Sequence, residues 1–138
     1  MKYSIGFLLL ASLGLAAEPL AVDGPWVRLM PPGVNMTAAY MTLRNQGDSP
    51  LTIEAVRSPE ASSVMLHGYR QDGDKVRMTH LDSLTLAPHQ TQVLEPGALH
   101  LMVMGLSAPL AVDKPLTLTL YFSDGRTQDI LARPRSSQ

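Results

Sequence analysis

The stretch GALHLMVMGL, Gly97 to Leu106, alternates like a β-strand, yet its alternate positions hold His100, Met102 and Met104. Val, Ile or Leu would suit a half-buried pleated surface more simply. Residues i and i+2 of a strand share a face, about 6.6–6.8 Å apart. An imidazole at 100 and a thioether at 102 can therefore lean onto one ion. A second pair of the same types lies in VMLHGYRQDGDKVRMTHL, Val64 to Leu81. Asp72-Gly73 is a favoured two-residue hairpin turn. A hairpin closed there sets His67 opposite Met78, and Met65 opposite His80, with Cβ atoms about 4.5–5.5 Å apart. Two imidazoles and two thioethers form an N2S2 donor set without carboxylate or thiolate. Such a set selects Cu(I), because thioether sulfur is soft, whereas zinc and iron favour harder donors or thiolates.

The elements that must position these residues are all β. From Val22 onward short alternating runs (WVRLM, AAYMTLRN, LTIEAVRS, VMLHGY, KVRMTHL, HLMVMGL, LTLTLYF, TQDILAR) are separated by turn signals at PPG 31–33, NQGDSP 45–50, DGD 72–74, APH 87–89, EPG 95–97, DKP 113–115 and SDG 123–125. Strands at this spacing predict an all-β Greek-key sandwich or barrel. Eleven prolines would be hard to place in helices. By the period of two, Leu116, Leu118 and Leu120 share a core face, as do Leu51 and Ile53. Trp26, the single tryptophan, is expected to anchor the core, Met36 and Met41 to pack, His89 to be solvated in its turn, and the tail ARPRSSQ to fray.

The chain of 138 residues suits one domain over 18–138. Residues 1–17 read as a secretory signal peptide: Lys2, an apolar run from Ile5 to Leu15, then Ala16-Ala17. The run is too short to span a bilayer, although a retained N-terminal anchor is the alternative reading. Export to the periplasm, or another extracytoplasmic compartment, follows. The net charge of −1 and the scattered arginines give no footprint for nucleic acid. With no cysteine there are no disulfides, no thiolate zinc site and no blue-copper centre, which needs a Cys ligand.

The spacing of the four donors resembles the periplasmic copper chaperones called PCuAC, whose signature is His, ten residues, Met, twenty-one residues, His-x-Met. His67, Met78, His100 and Met102 match it throughout, and the flanks PWVRLMPPG, MTAAYMTLRN, EPGALHLMVMGL and LTLTLYF are similar to the family from about Asp23 to Arg133. The resemblance implies a cupredoxin-like Greek-key β-barrel, Cu(I) as the bound ion, and delivery of copper to the CuA centre of cytochrome c oxidase subunit II or to an Sco-type assembly protein; a monomer is expected. Two departures stand out. Many members place Met directly after the first His, where this chain has Gly68. Some carry a His- and Met-rich tail for Cu(II), which this chain lacks.

Met104 is expected beside the site or in the core. Met65 and His80 are ordinary surface and core residues on the simple reading, and a landing point for copper on the other. Neither a Ser-His-Asp order, nor paired carboxylates near the histidines, nor a Gly-rich phosphate loop supports an enzyme. Two rivals stand beside the chaperone. One is an envelope copper buffer with the same site. The other is a non-metal β-sandwich binding module, which would hold the four side chains apart or in the core.

Overall fold

The computed structural model describes residues 18–136; the expected signal peptide at 1–17 lies outside them. These residues form ten strands: β1 (Leu20–Arg28), β2 (Met36–Asn45), β3 (Leu51–Arg57), β4 (Ala61–Asp72), β5 (Lys75–Leu81), β6 (Leu84–Leu86), β7 (Thr91–Leu94), β8 (His100–Leu106), β9 (Leu116–Phe122) and β10 (Thr127–Arg135). No helix occurs among the described residues. Seven strands close a barrel in the order β4-β8-β2-β1-β10-β9-β3, and β3 returns to β4. The strands β5, β6 and β7 are additions on β4, β3 and β2. All pairings are antiparallel except β1–β10. The expected turn segments all fall between strands or at hairpin tips.

Alternation fills the barrel. Leu116, Leu118 and Leu120 are buried on one face of β9, and Leu51 and Ile53 on β3, as the period of two requires. Leu66, Leu101 and Val103 bring β4 and β8 into the same core. Two buried amides complete the wall where ladder bonds run out. Gln128 holds the first residue of β1, accepting from Leu20 N at 3.0 Å and donating to Leu20 O at 2.9 Å. The Asn45 side chain donates to Ser49 O at 2.8 Å and accepts from Gly47 N at 2.9 Å, so neither buried amide is left unpaired.

Three expectations are corrected. Trp26 is only half-buried and lies on the outer face. A bulge between Asp23 and Trp26, with Gly24 at φ 59°, inverts the parity of β1; Val27 takes the core position and is fully buried. Met36 is 46% exposed whereas Met41 is buried. The two differ by an odd number of positions, so only one can face inward. The tail does not fray over its first residues. Ala132 to Arg135 complete β10, and Arg133, Pro134 and Arg135 run parallel to Trp26, Val27 and Arg28. The buried alternation Ile130, Ala132, Pro134 continues through a composition that reads as loop.

At Gly105 (φ 68°) an added Cβ would collide with the Ser62 hydroxyl and come within 2.8 Å of its Cβ. At Gly68 an added Cβ meets Leu99 and Leu81 at ordinary distances of 3.5 and 3.6 Å. Gly105→Ala is therefore expected to cost about 2–4 kcal/mol in chemical denaturation, and Gly68→Ala less than about 1 kcal/mol. Equal effects of the two substitutions would contradict this packing.

Candidate metal site

The geometry begins with the pairing of β4 and β8. Met65 faces Met102, Leu66 faces Leu101 and His67 faces His100. Leu66 and Leu101 point into the core, so the residues of opposite parity, Met65, His67, His100 and Met102, share the outer face. Strands that are far apart in sequence thus present a His and a Met each, in register.

The β4–β5 hairpin adds Met78, in a different register from the expected one. Asp72 pairs with Lys75, so the loop is Gly73-Asp74, not Asp72-Gly73. Gly73 has φ 65°, and among the described non-glycine residues only His89 has a positive φ. This is the type II′ pattern, with Gly at the first central position; the alternative loop in a type I′ turn would have forced Asp72 to a positive φ. The shift moves each partner by two positions. His67 now faces His80, and Tyr69 faces Met78. A shift of two preserves the face, and diagonal neighbours remain within reach of long side chains. His67 Nδ1 and Met78 Sδ accordingly meet at 3.1 Å.

His100 is 4% exposed although it stands on the outer face. Its ring is surrounded by Tyr69 (centroids 5.8 Å apart), His67 (5.9 Å) and Tyr40 (6.4 Å), and Tyr40 packs on Trp26 at 4.6 Å. His100 Nδ1 lies 2.8 Å from Ala98 O. A carbonyl only accepts, so Nδ1 carries a proton, and in the neutral ring the lone pair is on Nε2. This is the arrangement in which a second hydrogen bond sets the ligating tautomer of a metal-binding histidine. Met102 follows one pleat along β8 and is partly buried; Met78 is 50% exposed.

His67 is held below the ordinary imidazole pKa, first by partial burial and then by His100 and His80 beside it. Its neutral, electron-donating form is favoured. Among the described residues no group of three or more His, Cys, Asp or Glu gathers in metal-holding geometry. Only by including thioether sulfur does a complete donor set arise, and that restricts the set to a soft cation.

Met65, His80 and Met104 share this outer face; His80 Nδ1 lies 3.9 Å from Asp82 Oδ1. Gly68 faces the other way, towards Leu99 and Leu81, so the residue after His67 cannot join His67 on the site's face. Sequence reasoning missed Tyr69, Tyr40 and the Ala98 carbonyl. Tyr69 was open to discovery, since i+2 from His67 puts it on the same face. Tyr40 comes from β2, where only the β2–β8 register brings it near. His89 is exposed in its turn as expected and contacts Asp48 Oδ1 at 2.9 Å.

Residues 20–133 match the family described as "Putative lipoprotein LpqE-like". The chain is 32% identical over 118 residues to "Putative lipoprotein Lxx21020" of Leifsonia xyli subsp. xyli (strain CTCB07), covering 85% of this chain and 70% of that one. It is similar in structure to the Cu(I) form of DR1885 from Deinococcus radiodurans, with a TM-score of 0.69 and 35% identity over 91% of this chain and 84% of that one. The copper-bound PCuAC domain of PmoF2 shares the fold, with a TM-score of 0.73 at 22% identity over 87% of this chain and 95% of that one. The chain belongs to the LpqE-like family, and its domain is of the PCuAC type, a cupredoxin-like all-β barrel.

The His67 environment is testable without metal. In an NMR titration its ring should protonate below the ordinary value of about 6.5. His80→Ala should move that value up, since one of the two neighbouring imidazoles that lower it is removed. In the folded state His67 binds fewer protons than in the unfolded chain. Its contribution to stability is thus present above the ordinary imidazole pKa and declines as pH falls through it. Protonation of His67 above that ordinary value would contradict the assigned environment.

Proposed function

We propose that the protein is an extracytoplasmic, periplasmic Cu(I) metallochaperone. It holds one ion on His67, Met78, His100 and Met102 and delivers it to the CuA centre of cytochrome c oxidase subunit II or to an Sco-type assembly partner. The observation that carries this reading is the meeting of His67 Nδ1 and Met78 Sδ at 3.1 Å. It lies beside a His100 whose Nδ1 is already committed to Ala98 O. Imidazole nitrogen and thioether sulfur are thereby gathered on one face.

The donor set explains both holding and release. All four donors are neutral, so the loaded site keeps the ion's single positive charge. His100 and its tyrosine walls form the buried, preorganised side. Met78, half exposed on an additional strand, is the donor that an incoming ligand meets first. A thiolate or imidazole of the acceptor displaces the Met78 thioether, then the remaining donors in turn. The ion changes ligands without changing oxidation state, so the transfer needs no electron donor. The protein acts as a monomeric carrier and not as a catalyst. A leader at 1–17 would place it outside the cytoplasm, which accords with the lipoprotein names in its family.

Competition against a chromophoric Cu(I) chelator under reducing conditions should show one ion per chain. Met102→Ala with His100→Ala should weaken binding by more than about tenfold, or 1.4 kcal/mol. Affinity should fall as pH drops, because the imidazoles must be unprotonated to bind. The depressed pKa of His67 displaces its share of that fall below about pH 6.5. Unchanged affinity in the double variant would remove these residues as the site. Transfer is read from the visible absorption of a CuA domain incubated with two equivalents of the loaded protein and then oxidised by one electron with ferricyanide, since the fully reduced centre is colourless; retention of the ion by this protein would identify a copper buffer instead.

A further inference from the structure

The outer face carries more thioethers than the four-donor site uses. On β8, Met104 follows Met102 by one pleat. On β4, Met65 stands directly opposite Met102. On β2, Met36 stands directly opposite Met104. The core-facing residues between them are Val103 on β8 and Thr37 on β2, both buried. Four methionines from three adjacent strands therefore occupy neighbouring positions of one sheet face, with opposed Cβ atoms about 4.5–5.5 Å apart.

From these positions we infer a second soft-cation site made of thioethers alone, formed by Met36, Met104 and Met65 and sharing Met102 with the His-Met site. Packing does not account for these residues. The barrel core lies on the opposite face, and Met36, the outermost, is 46% exposed. The backbone beneath Met104 is fixed. Ser62 Oγ donates to Met104 O at 3.1 Å, and Gly105 leaves Ser62 the space that any side chain would fill. Thioethers carry no titratable proton and no charge, so the site takes a monovalent soft ion, Cu(I) or Ag(I), and does not discriminate by pH. Met102 belongs to both donor sets. An ion can pass between them by exchange of thioethers, entering at exposed Met36 and reaching the histidines through Met102.

The inference rests on the proposed cargo, but its test does not. The probe is Ag(I), which is not oxidised in air, added to protein with 13C-labelled methionine methyl groups. In a His67→Ala/His100→Ala variant, one equivalent should bind and shift the methyl signals of Met36, Met65 and Met104, equally at pH 7.5 and 5.5. Buried Met41 serves as the fold control. Adding Met36→Leu and Met104→Leu, which conserve volume, should weaken binding at least tenfold. Should the His67→Ala/His100→Ala variant lose its fold, the second equivalent of Ag(I) on the intact protein gives the same readout. Shifts confined to Met78 and Met102, or Leu substitutions without effect, would overturn the site. Loss of Cu(I) binding at the histidines alone would count only against the proposed function.

Discussion

The pairing of β4 with β8 is the constraint on which this protein's chemistry depends. It aligns His67 with His100 and Met65 with Met102, and the intervening leucines hold that alignment from inside the barrel. Because successive side chains alternate, burying Leu66 and Leu101 forces the donors outward together. A slip of one residue would place the histidines in the core and the leucines in water. The hydrophobic core thereby enforces the geometry of a polar, soft-ligand surface.

That surface is neither open nor sealed. His100 is enclosed by Tyr69, Tyr40 and His67 and fixed by the Ala98 carbonyl, whereas Met78 and Met36 at the margins remain exposed. At His67 partial burial favours the neutral imidazole, since burial penalises the charged form. The exposed thioethers supply points of entry for exchange. The face thus combines a rigid part that defines its geometry with a less tightly paired margin. The barrel supplies the first through strands that are hydrogen-bonded on both sides. The β4–β5 hairpin supplies the second, because β5 pairs only with β4.

Much of this was readable before the structure. The turn residues marked the strand limits, the alternation in LTLTLYF and LTIEAV identified core faces, and the spacing of His67, Met78, His100 and Met102 singled out the proposed donors. Two of the errors, at Trp26 and Met78, share one cause. Parity along a strand is a local rule, and bulges or turn types reset it without a conspicuous residue. The bulge near Gly24 turned Trp26 outward. The Gly73-Asp74 turn moved Met78 from opposite His67 to opposite Tyr69. The Met78 error was harmless because the displacement was even; the Trp26 error was not, because one extra residue inverts a face.

The sequence by itself determined the side-chain types at these positions, and with them the softness and neutrality of the proposed donor set, because those properties belong to the side chains and not to their arrangement. It also determined that the donors lie on strands, since alternation and turn chemistry are local. Only the tertiary structure decided that the two pairs share one face, that His100 is walled by tyrosines from other strands, and that its Nδ1 is tied to Ala98. Those facts follow from strand registers between segments distant in the chain. Such registers are chosen by the summed burial of the core, a quantity that no short stretch of sequence contains.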